Sequence, residues 1–136
     1  MNSFVTDTSA IIALLNDEAE AAGFKVAFHE ADAVFISSAT LFELSCVARG
    51  IRFVDSSARL LSLLDLLALT SVPFDDEQLA IARRAYTTYG RGSGHPARLN
   101  MGDCFSYALA KSRNLLLLFK GDDFAHTDIE PALRRP

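Results

Sequence analysis

The sequence contains no long apolar run. Its longest apolar stretches are far shorter than the roughly 18–20 consecutive residues that a membrane-spanning helix needs. The N-terminal segment MNSFVTDTSA reaches Asp7 too early to hold the apolar core of a secretory signal. We therefore expect a soluble protein of the cytoplasm.

Cysteine is also scarce, and no Cys-x-x-Cys or zinc-binding spacing is present. Cys46 and Cys104 each fall inside a predicted helix, so we expect small, buried thiols in a reducing compartment. The three histidines, His29, His95 and His126, show no metal-ligand spacing, and we interpret them as structural or surface residues.

Basic residues are fewer than acidic ones. The chain has 13 Lys and Arg against 17 Asp and Glu, which gives a net charge of −4. This balance argues against a protein that holds nucleic acid by neutralising many phosphates at once. Nucleic acid can still be a transient substrate where bound cations cancel part of the acidic charge.

The composition is that of a folded globular protein. Of the 136 residues, 50% are hydrophobic and 22% are charged, which is far from the composition of disordered chains. The length is sufficient to bury one core, and no repeat or linker divides it. We therefore expect one domain spanning residues 1–136.

Short, continuously apolar strands alternate with helices along the chain. This pattern predicts a parallel sheet covered on both faces, that is, a three-layer α/β/α sandwich. The predicted strands are 4–7, 33–36, 71–74 and 115–119, and the predicted helices are 8–15, 18–31, 39–50, 57–70, 75–90 and 101–113.

Capping residues indicate where several helices begin. Asn16 or Asp17 can cap the second helix. Ser37 or Ser38 can cap the third, and Asn100 can cap the last.

Acidic residues fall where predicted strands end or helices begin. Asp7 ends the first strand, and Glu43 lies in the opening turns of the helix after the second. Asp103 lies in the first turn of the last helix, and Asp122 and Asp123 follow the last strand. Because the carboxyl ends of parallel strands meet at one edge of a sheet, we expect these acids to lie close together.

Each acid taken alone has a structural explanation, as a helix-dipole partner or a turn former. Together, several carboxylates would repel one another and raise their pKa values, and a divalent cation removes that cost. Oxygen ligands without His or Cys suit Mg²⁺ or Mn²⁺. Such a site fits metal-assisted phosphoryl chemistry, in which the metal polarises the phosphate and activates a bound water for attack.

Four segments together resemble the PIN-domain ribonucleases, and more narrowly the VapC toxins of bacterial toxin–antitoxin pairs. In chain order the segments read VTDTSAI, SSATLFELSCV, LNMGDCFSYALAK and LLFKGDDFAHTDI. The resemblance extends in order along nearly the whole chain.

The resemblance implies a Mg²⁺- or Mn²⁺-dependent endoribonuclease. Asp7, Glu43 and Asp103 match the family's first three acidic positions, and we expect them to be both catalytic and metal-binding. Many relatives carry Thr-x-Asp after the last strand, where this chain has KGD. We assign Asp122 as the fourth acid, with Asp123 as the alternative.

The resemblance also implies a hydroxyl beside the metal, supplied by Thr8 or Ser9, either of which could instead cap the first helix. It further implies a small VapB-type antitoxin as partner, and a homodimer or a toxin–antitoxin hetero-oligomer.

A leucine-rich helix supports a protein partner independently. Its leucines surround most of the helix, more than a single core-facing stripe requires. Such a helix is either enclosed by the core or exposes a patch for another chain. The leucines are Leu60, Leu61, Leu63, Leu64, Leu66, Leu67 and Leu69.

Basic residues near the predicted site are few. Arg91, His95 and Arg98 lie in a Gly-rich loop, and Lys120 follows the last strand. These side chains could follow the backbone of single-stranded RNA, or the loop could simply be solvated.

Two other functions compete with the nuclease. A haloacid-dehalogenase-type phosphatase would use Asp7, Lys111 and the acidic pair after the last strand, but it needs a second Asp where this chain has Ser9. A non-catalytic binding module would keep the fold and use the acids only as helix caps.

Overall fold

A computed structural model of the chain describes residues 2–50 and 55–133. Within these ranges, four strands form one sheet in the order β3-β2-β1-β4, and every pairing is parallel. The strands are β1 (Ser3–Thr6), β2 (Ala33–Ser37), β3 (Thr70–Val72) and β4 (Leu116–Leu118).

Six α-helices lie in the described ranges. They are α1 (Thr8–Leu15), α2 (Ala21–Glu30), α3 (Ser38–Gly50), α4 (Ser56–Leu67), α5 (Asp76–Tyr89) and α6 (Met101–Arg113). A 3-10 helix, Asp123–His126, follows β4.

The helices cover the sheet on both faces because alternate residues of each strand point to opposite sides. On one face, Val5 and Leu117 pack with residues of α5 and α6 such as Leu109. On the other face, Phe4 and Ile36 belong to clusters built by α1 to α4. The predicted three-layer sandwich with a parallel central sheet is confirmed.

β1 is the strand from which the sheet grows in both directions. The chain adds β2 and then β3 on one side of β1, and it returns through α5 and α6 to place β4 on the other side. In open parallel sheets, a crevice for ligands forms at the carboxyl ends of the strands where the order reverses. Here that position lies beyond β1 and β4.

Two predicted helix boundaries are wrong. Asn16 and Asp17 do not cap α2: Asn16 is the C-cap of α1, and Asp17 has a φ of 50°, which turns the chain before α2 begins at Ala21. The helix predicted for 57–70 ends at Leu67 because Ala68 takes a left-handed φ of 52°, and Thr70 starts β3. The other two caps are confirmed, with Ser37 Oγ accepting from the Ala39 N–H.

The leucine-rich helix is neither enclosed nor fully exposed. Leu60 is buried, whereas Leu61 and Leu66 are 64% and 82% exposed. Leu63 and Leu67 are half-buried against the core. The excess of leucine therefore leaves exposed apolar side chains on α4, and α3 also exposes one, Phe42.

The thiol prediction is half wrong. Cys104 is buried, as expected, but Cys46 is exposed on the outer side of α3.

No helix in the described part of the chain is long and apolar enough to cross a membrane.

Replacing Leu117 by Ala should lower the free energy of unfolding by about 2–5 kcal/mol, because Leu117 is fully buried in the central sheet and the change leaves a cavity. Replacing the exposed Leu66 by Ala is the matched control and should change that free energy by less than about 0.5 kcal/mol. Urea unfolding followed by circular dichroism measures both. Equal losses would contradict this distribution of core and surface.

Candidate active site

Asp7 is a buried carboxylate held from both helical layers. Its N–H donates to the Leu118 carbonyl at 2.9 Å, so it extends the pairing of β1 with β4. As the N-cap of α1, its Oδ2 accepts from the Ser9 N–H at 3.0 Å and from Ser9 Oγ at 2.7 Å. Oδ1 accepts from Ser106 Oγ of α6 at 2.5 Å. These contacts leave the carboxylate one orientation.

Glu43 extends from α3 toward the same region. Its Oε1 accepts from Thr8 Oγ1, at the start of α1, at 2.5 Å. Its carboxylate also lies against the backbone of Gly102 in α6, where a Cβ would overlap it. A side chain at position 102 would require the Glu43 carboxylate to move from this position.

Asp103 occupies the first turn of α6 and forms a reciprocal capping box with Asn100. Asp103 Oδ2 accepts from the Asn100 N–H at 2.9 Å, and Asn100 Oδ1 accepts from the Asp103 N–H at 2.8 Å. Asp103 therefore has the structural role of a helix-capping residue. The same carboxylate also lines a pocket at the carboxyl ends of β1 and β4.

One pocket brings together the three acids that the sequence predicts unambiguously. It opens at the carboxyl ends of β1 and β4, beside the first turns of α1 and α6. Its lining residues are Asp7, Thr8, Ser9, Ile12, Glu18, Glu43, Asn100, Asp103 and Lys120.

Burial raises the pKa of all three carboxyl groups. For Asp7, hydrogen bonds from Ser106 and Ser9 oppose that effect in part. For Glu43, burial is the largest cause, Thr8 opposes it, and the Asp7 charge adds to it. The pKa of Asp103 rises to about 7 through burial, against the Asn100 hydrogen bond, with further increases from the charges of Asp7, Asp123 and Glu43. The acids are therefore electrostatically coupled.

The two candidates for the fourth acid are both exposed. Asp122 precedes the 3-10 helix and its carbonyl accepts from the Ala125 N–H. Asp123 begins that helix, and its charge contributes to the raised pKa of Asp103. Neither lines the pocket, so the assignment of Asp122 stays a prediction.

The donor set fits a hard cation by its chemistry. In residues 2–50 and 55–133, no three His, Cys, Asp or Glu side chains stand close enough to hold one metal ion together. Instead, hydroxyl and backbone donors hold the carboxylates, as described above. Mg²⁺ commonly uses one or two carboxylates and keeps several waters, so it needs no complete protein cage. The predicted four-acid ligand set stays a prediction.

Sequence reasoning missed two residues of this site. Ser106, which is fully buried, donates to Asp7, and Gly102 makes room for Glu43. A glycine in the first turn of a helix is a weak signal, and a serine one turn later is weaker still. Both roles depend on contacts between elements far apart in sequence.

The Gly-rich loop does not reach the pocket. Arg91, His95 and Arg98 are absent from its lining. The His95 ring packs against Tyr89, with centroids 4.8 Å apart, and its Nδ1 accepts from the Ala97 N–H at 3.1 Å. This loop position is ordered by local packing, in agreement with a structural histidine.

Residues 4–130 of the chain match the PIN domain family. Ribonuclease VapC28 of Mycobacterium tuberculosis is 45% identical over 131 residues, which are 96% of this chain and 98% of the relative. Ribonuclease VapC30 of the same organism is 47% identical over 127 residues, which are 92% and 95% of the two chains.

The fold is also similar to that of solved VapBC and VapC structures. A VapBC-5 toxin–antitoxin structure from M. tuberculosis is 26% identical with a TM-score of 0.66, covering 98% of this chain and 97% of that one. M. tuberculosis VapC20, described as a sarcin–ricin loop cleaving toxin, has a TM-score of 0.75 at 15% identity, covering 97% and 99%. At that identity, the VapC20 likeness shows the shared fold.

Replacing Asp103 by Asn should stabilise the metal-free protein, and the gain should grow as pH rises. An unfolded Asp loses its proton near its ordinary pKa of 3.8, whereas folded Asp103 keeps it until about pH 7. The folded state thus binds the extra proton, and the wild type loses stability across that window. The variant escapes this loss, which is on the order of a few kcal/mol. Melting in EDTA at about pH 5 and pH 8 measures it.

Asp76→Asn is the matched control. Asp76 is an exposed acid in the first turn of α5, where it stabilises the helix dipole without a buried neighbour of like charge. Its replacement should cost about 0.3–1 kcal/mol at pH 8. If Asp103→Asn behaved the same way, Asp103 would be a capping residue alone.

Proposed function

Because this chain belongs to the PIN domain family, we propose that it is a metal-dependent endoribonuclease of the VapC kind and the toxin of a toxin–antitoxin pair. It would hydrolyse phosphodiester bonds of RNA in the cytoplasm. The observation that carries the proposal is the pocket that Asp7, Glu43 and Asp103 line together, from the N-cap of α1, the second turn of α3 and the first turn of α6. Carboxylates crowded in this way destabilise the fold unless a bound cation offsets their charge.

The acids would hold Mg²⁺ or Mn²⁺ through carboxylate oxygens and water. Asp7, Glu43 and Asp103 are the proposed ligands and catalytic acids. When bound, such an ion polarises the phosphate and lowers the pKa of a water molecule, which makes that water a nucleophile at neutral pH. A cation would also hold the Asp103 carboxyl in its charged form against the burial that raises its pKa.

The hydroxyl groups around the acids prepare them for this role. Ser9 and Ser106 each donate to a different oxygen of Asp7, which orients the carboxylate and favours its charged form. Thr8 does the same for Glu43. Holding the ligands before substrate binds reduces the reorganisation needed during the reaction.

For the fourth acid we keep Asp122 as the proposal, with Asp123 as the alternative. The charge of Asp123 acts on Asp103, one of the three acids of the pocket. Separate Asn replacements at the two positions distinguish them by their effect on cleavage.

Incubating the protein with total RNA and with p-nitrophenyl phosphate tests the activity. We expect RNA cleavage with Mg²⁺ or Mn²⁺, none with EDTA, and no turnover of p-nitrophenyl phosphate. Asp103→Asn should lower cleavage by more than about 100-fold while the variant stays folded. Asp76→Asn, which does not change the lining of the pocket, should cleave normally.

The other functions make opposite predictions in the same assay. Membership of the PIN family argues against the haloacid-dehalogenase-type phosphatase. Turnover of p-nitrophenyl phosphate would support that phosphatase instead. RNA cleavage that survives in Asp103→Asn would contradict the proposed catalytic role. A folded, metal-loaded wild type that cleaves no RNA would favour the non-catalytic binding module.

Exposed apolar side chains on α3 and α4 support a protein partner. Leu61, Leu66 and Phe42 are exposed to 64%, 82% and 72%, and exposed apolar side chains that form one patch are typical of interaction surfaces. The VapBC-5 neighbour comes from a toxin–antitoxin system. We propose that a VapB-type antitoxin or a second copy of this chain covers the surface.

Replacing Leu66 by Lys should weaken assembly without affecting cleavage, because the side chain is exposed and lies outside the pocket. Leu61→Lys should act alike, and Ser57→Lys, an exposed polar position of the same helix, is the control. Leu63 and Leu67 are unsuitable because they are half-buried. Light scattering and co-purification with the product of the neighbouring gene measure assembly. Unchanged assembly in both leucine variants would refute the partner surface.

A further inference from the structure

Lys120 lies at the edge of the carboxylate pocket, directly after β4. Of the described residues that line the pocket, it is the cationic one. Its backbone N–H donates to Ser9 Oγ at 2.9 Å, and Ser9 Oγ in turn donates to Asp7 Oδ2 at 2.7 Å. The backbone of Lys120 is therefore two hydrogen bonds away from a proposed catalytic carboxylate.

Two carboxylates share the ammonium group of Lys120. Its Nζ forms ion pairs with Glu18 and, at 3.2 Å, with Glu20, both in the connection between α1 and α2. Glu18 also lines the pocket. The side chain of Lys120 is 39% exposed, so solvent and solutes can reach it.

Ion pairs at this exposure are weak. They contribute little to stability, because water screens the charges and two flexible side chains must be ordered. Another anion can therefore compete with these carboxylates for the ammonium group. An ammonium group is also a common phosphate ligand in proteins, where it acts as a mobile point charge.

An RNA phosphate that approaches this pocket faces strong repulsion. Asp7, Glu43 and Asp103 line it, and Glu18 adds a further carboxylate at its edge. A metal ion held by these acids and water would offset part of their charge inside the pocket, but not the charge of Glu18 at its edge. A cation at the pocket's edge is what a neighbouring phosphate of the same strand would need.

We propose that Lys120 binds a backbone phosphate of single-stranded RNA beside the cleaved bond, and that Glu18 and Glu20 hold its ammonium group until RNA replaces them. This inference rests on the proposed ribonuclease function. It assigns Lys120 as a substrate-positioning residue, and it assigns the two glutamates as competitors of the substrate.

A purely structural role makes a different prediction for the same residues. Under it, Lys120 ties the connection between α1 and α2 to the segment after β4, and the two glutamates are needed for that tie. Removing their charge would then loosen the pocket and weaken RNA binding. Under the proposal, removing their charge frees the ammonium group and strengthens RNA binding.

The test measures binding of a fluorescent, mixed-sequence, single-stranded RNA of about 20 nucleotides by anisotropy in EDTA, where cleavage cannot interfere. Lys120→Met should raise Kd about three- to tenfold and reduce the slope of log Kd against log salt by about one phosphate contact. Lys120→Arg should restore most of the affinity. The Glu18→Gln, Glu20→Gln double variant should lower Kd about two- to fivefold.

Lys25→Met is the matched control. Lys25 is an exposed lysine that pairs with Asp17 at 4.0 Å and does not line the pocket. Its replacement should leave Kd within about twofold and the salt slope nearly unchanged, since it removes one distant charge. Melting curves of all variants show whether a change in Kd accompanies loss of the fold.

The proposal is overturned if the double glutamine variant has a Kd equal to or higher than that of the wild type. It is also overturned if Lys120→Met keeps wild-type affinity, or if the wild type shows no measurable binding. In the cleavage assay, Lys120→Met should raise KM more than it lowers kcat. The two inferences fail separately. Absence of RNA cleavage by the wild type refutes the ribonuclease, whereas cleavage with an unchanged KM in Lys120→Met refutes only the role of Lys120.

Discussion

The buried carboxylate of Asp7 is the constraint on which the site depends. It lies at the end of the central strand, where it caps α1 through Ser9 and meets α6 through Ser106. A carboxylate in this place would be costly without hydrogen bonds, because burial disfavours its charge. The hydroxyl donors on both sides reduce that cost, and in doing so they join the two helical layers around one acid.

The other acids are arranged around this point by the packing of α3 and α6. Glu43 reaches the pocket because Gly102 has no side chain, and Asp103 reaches it because the capping box fixes the first turn of α6. The charges then act on one another, which contributes to the raised pKa of Glu43 and of Asp103. Because the folded state holds these protons more tightly, the clustered carboxylates lower its stability as the pH rises toward neutrality.

The sequence predicted the layered fold well because its signals are local. Apolar strands such as 33–36 and caps such as Asn100 act within a few residues, and both are present in the structure. The helix start at Asn16 or Asp17 was misassigned because both residues serve the end of α1 instead. Residues that favour caps also favour turns, and local sequence does not separate the two uses.

By itself, the sequence determined the order of the elements, the parallel sheet and the convergence of Asp7, Glu43 and Asp103 at one edge. It could do so because strand ends are local features and parallel topology brings them together. Only the tertiary structure decided which leucines of α4 are exposed, that Ser106 and Gly102 serve the acids, and that Lys120 faces Glu18 and Glu20. Those facts depend on contacts across as many as 102 positions of the chain, and such distances leave no periodic trace in the sequence.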